Sequence, residues 1–221
     1  MNLPDPYTYL ADTVQLLRQQ WPGNRTVNIV CHGHSVPSGY FATPYVDSLN
    51  AYPHQLFVAL KQRFPYAVIN VIITAIGGEN SASGAARFAD VLGHRPDVIT
   101  IDYGLNDRGI GLDAARQAWT TMIRQGLEAG IKIILLTPTT DLTQAPGYQG
   151  SGPELLSQHA EQIRQLAAEH GVGLADSFAS HQSYAAQHHL TDLLSWQNHP
   201  NRFGHELVTT ELMRWFPAAL M

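Results

Sequence analysis

The stretch TVNIVCHGHSVPSG, residues 26–39, decides how this chain folds. Its first half is rich in apolar and β-branched residues, and Gly33, Ser35, Pro37 and Gly39 then stop the run abruptly. A run of that kind bounded by turn residues reads as a buried strand followed by a turn. Ser35 is thereby delivered at the carboxyl end of a strand. In open α/β sheets that end is where ligands bind.

Outward from this stretch the same alternation repeats. Before it, Asp5-Pro6 makes an N-cap and N1 pair, and Tyr7, Leu10, Val14, Leu17 and Trp21 recur at helical spacing up to Pro22-Gly23. After it, an irregular segment runs to Asn50, and Leu56, Leu60 and Phe64 mark a second helix. Residues 67–76 (AVINVIITAI) are almost continuously apolar, as expected of a strand covered on both faces, and end at Gly77-Gly78. A small-residue helix is expected over 81–92, a third strand over 97–103 ending at Gly104-Leu105-Asn106-Asp107, and a long helix over 112–129 with Gly130 at its left-handed C-cap. A fourth strand follows over 131–136. After the loop 137–152, Ser151 and Glu154 have capping-box spacing and open another helix. Residues 173–178 read as a fifth strand and 202–216 as the closing helix.

Alternating strands and helices bury both faces of a parallel sheet, so the expected class is α/β: a three-layer α/β/α sandwich with a five-stranded parallel sheet in flavodoxin-like order 2-1-3-4-5. The units are too few for a TIM barrel. With 221 residues and no Pro/Gly/Ser-rich linker or charge block, one domain over 1–221 is expected. The net charge of −5 comes without any basic cluster, which argues against nucleic acid or anionic membrane as partners. No apolar run approaches the roughly 20 residues of a membrane span, and the first residues lack a signal-peptide pattern, so a cytoplasmic location is expected. Cys31, the single cysteine, has no internal disulfide partner and fits a reducing compartment.

In the 2-1-3 order the carboxyl ends of three strands lie side by side, with Gly78, Ser35 and Asn106 just beyond them. They would bring a nucleophile, backbone N–H groups and a side-chain amide to one crevice, the parts that acyl transfer requires. A serine hydroxyl needs a base. Residues 198–205 (NHPNRFGH) are the best source, because His199 precedes a stiff Pro200-Asn201 helix start. His181, His188 and His189 lie in a polar stretch and are expected to face solvent, while His205 is expected to pack within the last helix. Asp107 is read as an Asx-turn residue. Tyr40 and Phe41, just after the serine, and Tyr148, in the long loop 141–152, are candidates for the substrate rim.

Gly33-His34-Ser35, Gly78, Gly104-Leu105-Asn106-Asp107 and His199-Pro200-Asn201 with Gly204-His205 resemble, in family order, the blocks of the SGNH (GDSL-like) hydrolases. The resemblance implies a serine esterase needing no cofactor and acting on a small-molecule ester, with small acyl groups such as acetyl on carbohydrate as the modest expectation. It makes Ser35 the nucleophile, His199 the general base, and the Ser35 N–H, the Gly78 N–H and the Asn106 side chain the oxyanion hole. Two positions depart from the family. Its aspartate before the serine is His34 here, and its triad acid, three residues before the histidine, is Trp196. Either the Trp196 backbone carbonyl, the favoured choice, or Asp192 could orient His199. Two further readings stand beside this one: a metal-dependent hydrolase using the His32/His34 pair, and a catalytically weakened ligand-binding member of the fold.

Overall fold

The computed structural model describes residues 3–150 and 152–218. The five strands are β1 (Thr26–Gly33), β2 (Val68–Ile73), β3 (Val98–Asp102), β4 (Lys132–Leu136) and β5 (Gly173–Ala175). All pairings are parallel and the order is β2-β1-β3-β4-β5, as the sequence led us to expect. In chain order the helices are α1 (Ala11–Arg18), α2 (Ser35–Ser38), α3 (Tyr52–Arg63), α4 (Ser81–Ala86), α5 (Phe88–Gly93), α6 (Leu112–Glu128), α7 (Pro153–His170), α8 (Ser177–Ala185) and α9 (Arg202–Met213).

Two apolar cores sandwich the sheet, and strand periodicity divides residues between them. Val98, Ile134 and Leu136 point to the core made with α1, α3 and α9; Ile99, Ile101, Ile133 and Leu135 point to the core made with α5 and α6. Trp119, Met122 and Ile123 of α6 are buried in the second core, so they are packing residues. Truncating one such buried aliphatic side chain to alanine typically costs about 2–5 kcal/mol.

Four local expectations are corrected. β2 is not covered on both faces, because it is an edge strand paired only with β1, and Val68 and Ile73 are exposed. The helix expected over 81–92 is broken at Arg87 into α4 and α5; Gly84 in α4 lies so close to the Tyr103 ring that any Cβ there would collide with it. The fifth strand stops at Ala175, since the Asp176 side chain accepts from Ala179 N–H and starts α8. The chain after Asp5-Pro6 forms turns, Asp5 accepting from Tyr7 N–H, and the helix begins only at Ala11. Of the proposed capping box, Ser151 lies outside the described residues; α7 begins at Pro153 with Gly152 at its N-cap. Gly130, at φ +74°, follows α6 in the left-handed conformation expected there.

Candidate active site

β1 ends at Gly33, and the chain turns at once into the single-turn helix α2, whose first residue is Ser35. The N-cap is His34: its Nδ1 accepts from Val36 N–H at 3.2 Å. An imidazole thus does what Ser, Asp or Asn usually does at this position. The Ser35 N–H, as the first of a helix, has no intrahelical acceptor and is free to serve a ligand. Ser35 itself is buried, with 7% of its surface exposed.

Across the crevice, Asn201 caps α9 by accepting from Phe203 and Gly204 N–H. His199 stands two residues earlier, on a segment tied to the preceding turn by Ser195, whose N–H and Oγ–H both donate to the His199 carbonyl. The His199 Nε2 lies 2.9 Å from Ser35 Oγ, and its Nδ1 lies 3.1 Å from the Phe41 carbonyl oxygen. A carbonyl only accepts, so Nδ1 carries the proton and Nε2 presents its lone pair to the serine. Burial lowers the His199 pKa below the ordinary imidazole value, and the hydrogen bond to the Phe41 carbonyl opposes part of that shift. The side chain therefore stays neutral, and able to accept a proton, at neutral pH.

This geometry corrects both expectations for the group that orients His199. The Trp196 carbonyl is not its partner, and the Trp196 side chain is 63% exposed. Asp192 is turned elsewhere: its carboxylate accepts from Tyr184 O–H and its backbone carbonyl from Asn201 Nδ2. The bonded carbonyl comes from the segment just after the nucleophile. That segment is folded back on itself, Phe41 N–H donating to the Tyr45 carbonyl and Asp47 N–H to the Gly39 carbonyl.

The two remaining oxyanion candidates are held by separate bonds. Ile76 N–H donates to the Gly33 carbonyl, which brings the Gly77-Gly78 turn alongside Ser35. Gly78, at φ +83°, is exposed with open space where a Cβ would be. Asn106, just past β3, donates one Nδ2–H to the Glu79 carbonyl at 2.8 Å, leaving its second N–H available. Glu79 is itself clamped: Arg87 binds its carboxylate through Nε and Nη2, and Tyr103 O–H donates to it. The loop bearing these donors is thus pre-positioned, as charge stabilisation in a transition state demands.

The other histidines have definite places. His32 contacts Thr74 Oγ1 through Nδ1, and the Gly84 carbonyl and Tyr103 Oη through Nε2. Both ring nitrogens are occupied, so His32 and His34 do not present a two-nitrogen ligand pair, and no group of three or more potential ligands gathers among the described residues. His181 does not face solvent: it is fully buried, accepting from Thr140 O–H and donating to the Gly204 carbonyl. His188 and His189 are exposed, and His205 is buried with Nδ1 accepting from Tyr52 N–H. Asp107 does more than close an Asx-turn, because it accepts from Ser81 N–H and Trp119 Nε1–H, each at 2.7 Å. Tyr40 lies against Gly77 with its ring 5.9 Å from that of His199; Phe41 contributes its carbonyl, while its ring packs on Tyr45; Tyr148 folds over Gly150 of its own loop.

The family model for the GDSL-like lipase/acylhydrolase family matches residues 31–207. The chain belongs to that family. It is accordingly an ester-hydrolysing enzyme on an SGNH-type fold. Comparison with curated proteins by sequence finds no match. Among solved structures, the chain is similar to Axe2, an acetylxylan esterase from Geobacillus stearothermophilus, at 20% identity and TM-score 0.74, covering 86% of this chain and 94% of that one. Solved catalytic mutants of Axe2 carry replacements of a serine, an aspartate and a histidine. It is also similar to LAE5, an alpha/beta hydrolase enzyme from the metagenome of Lake Arreo, Spain, at 21% identity and TM-score 0.69, covering 86% of this chain and 94% of that one. No helix among the described residues is long and apolar enough to cross a membrane. Sequence reading of this family member missed the Phe41 carbonyl, for which residue type gives no signal, and the clamp on Glu79, in which Tyr103 from the end of β3 joins the nearby Arg87.

Proposed function

We propose that this chain, as a single domain, is a serine esterase that works through an acyl-enzyme, with Ser35 as nucleophile and His199 as general base. The observation that carries this reading is the 2.9 Å contact of His199 Nε2 with Ser35 Oγ, combined with the carbonyl that fixes the Nδ1–H tautomer. His199 Nε2 takes the Ser35 proton as Oγ attacks the ester carbonyl. The negative charge on the carbonyl oxygen falls to the Ser35 and Gly78 N–H groups and the free Asn106 N–H. His199 then returns the proton to the departing alkoxide, and water repeats the sequence to free the acid.

Small acyl groups are the substrates this reading favours. Tyr40, five residues after Ser35, packs against Gly77 with its ring 5.9 Å from that of His199. The likeness to acetylxylan esterases supports acetyl esters of carbohydrate as substrates, and the exposed Trp196, three residues before His199, offers a flat apolar face on which a sugar ring can stack. The test compares wild type with Ser35→Ala on p-nitrophenyl esters of increasing chain length and on acetylated xylo-oligosaccharide, with phosphonate labelling followed by mass spectrometry. Acetyl preference, a single phosphonate adduct on Ser35 and a dead variant are expected. Turnover by Ser35→Ala near the wild-type level, or loss of wild-type activity to a chelator, would overturn the serine mechanism; absence of both turnover and labelling would make the protein a binding member of the fold.

A further inference from the structure

A second imidazole touches the nucleophile. His34 Nδ1 lies 3.4 Å from Ser35 Oγ while accepting from Val36 N–H at 3.2 Å. Because Nδ1 accepts, it holds no proton, and the ring's single proton sits on Nε2. Nε2 faces Asp102 Oδ1 at 3.4 Å, and the two side chains are 1% and 4% exposed. The parallel register of β1 and β3 sets this up, since Gly33 and Asp102 are partners at the two strand ends. His34 Nε2 makes no hydrogen bond among the described residues, and the Asp102 carboxylate at 3.4 Å is the charged group it faces.

Resting on the esterase reading above, we propose that Asp102 and His34 form a positioning arm for Ser35, an Asp–His pair that serves the nucleophile's turn instead of the base. The carboxylate fixes His34 as the Nε2–H tautomer. Only that tautomer caps α2, Nδ1 accepting from Val36 N–H, while the single Ser35 hydroxyl proton stays directed at His199 Nε2. In the opposite tautomer Nδ1–H would meet Val36 N–H donor to donor, and the turn carrying Ser35 would open. The rest of the surroundings do not compete for the proton. Cys31, pushed up to about 12 by burial, and Tyr52, raised by burial and then by the Asp102 charge, both stay protonated; Tyr103 is likewise raised by burial. His199 is neutral in the resting enzyme, and Asp107 is committed to Ser81 and Trp119.

The family's aspartate at the position of His34 has no tautomer to fix, and this gives the test. Asparagine there also caps without help, its side-chain oxygen accepting from the N–H that Nδ1 now serves. Asp102→Asn is expected to lower kcat about tenfold or more with KM nearly unchanged, because the amide it introduces can donate to Nε2 and stabilise the wrong tautomer. In a His34→Asn background the same change is expected to cost less than about twofold, a non-additive cycle. If Asp102 only supports packing, the loss is equal in both backgrounds and the proposal fails; it fails equally if Asp102→Asn alone retains wild-type kcat. Melting curves identify any variant that does not fold. A long-range 1H–15N spectrum of the wild type, which reads the His34 tautomer without turnover, must show Nε2–H, and Nδ1–H there overturns the proposal even if the esterase reading stands. Failure of phosphonate to label wild type would instead strike the esterase reading and leave the tautomer result intact.

Discussion

Acid should destabilise this protein from about pH 6.5 downward, before most of its carboxylates are titrated. His32, His181 and His205 are buried and each contacts backbone: the Gly84 carbonyl, the Gly204 carbonyl and the Tyr52 N–H. Burial lowers their pKa values to about 4, about 4 and about 3. In the unfolded chain each would protonate near pH ~6.5. A folded-state pKa below the unfolded one means that the unfolded chain binds protons first, so the stability these groups confer is complete above about pH 6.5 and is lost as pH falls toward 4. At pH 5 the lag of about 1.5 pH units, at about 1.4 kcal/mol per unit, is about 2 kcal/mol per imidazole and about 6 kcal/mol for three. Asp107 acts in the opposite direction, because burial raises its pKa despite its hydrogen bonds. Domains of this size are stable by about 5–15 kcal/mol, so the loss is a large fraction of the whole. Urea unfolding followed by circular dichroism at pH 7.5 and pH 5 measures it. His181→Gln, which keeps an acceptor for Thr140 and a donor for Gly204, should reduce the difference by about 2 kcal/mol. A difference under about 1 kcal/mol between the two pH values in wild type would refute the reasoning.

Two substitutions test the assignments around Ser35. Asn106→Ala removes one oxyanion donor and should lower turnover about 100- to 1000-fold; more than about a third of wild-type turnover on p-nitrophenyl acetate would exclude Asn106 from the hole. Asp192→Asn should leave kcat/KM within about twofold, since its carboxylate contacts Tyr184 and not His199. A fall approaching the ~10⁴-fold seen on disabling a triad acid would restore Asp192 to that role.

What the sequence showed and what it hid divide along physical lines. The β-branched runs at residues 26–32, 97–103 and 131–136 marked strands because both faces of the inner sheet need apolar side chains, and the Gly, Ser and Asn residues beyond them marked the crevice. The same rule misled at β2, where an apolar run proves to be an edge strand. His181 looked like a surface residue because its stretch is polar, and Gln182 and Ser183 are exposed, yet one helical face carries it inward to Thr140 and Gly204. Backbone acceptors have no signature in residue type, so the partner of His199 had to be seen. Asp102 was read as the interior of a strand; only the register of β1 with β3 sets it against His34.

On the proposed mechanism, the Phe41 carbonyl takes the place of a carboxylate beside His199. A triad aspartate does two things: it holds the imidazole in the Nδ1–H tautomer and it stabilises the imidazolium. Its replacement by asparagine costs about 10⁴-fold mainly because the amide can donate and so favours the wrong tautomer. A carbonyl oxygen cannot donate, and at 3.1 Å from Nδ1 it enforces the right tautomer as strictly as a carboxylate would. The second task is where it falls short. The imidazolium's bond to the carbonyl is still charge-assisted, but a carbonyl dipole offsets less of the developing positive charge than a full carboxylate charge does. The larger part of the acid's contribution therefore survives its loss. On the proposed mechanism, the departure at Trp196 therefore leaves Ser35 and His199 able to act as a pair.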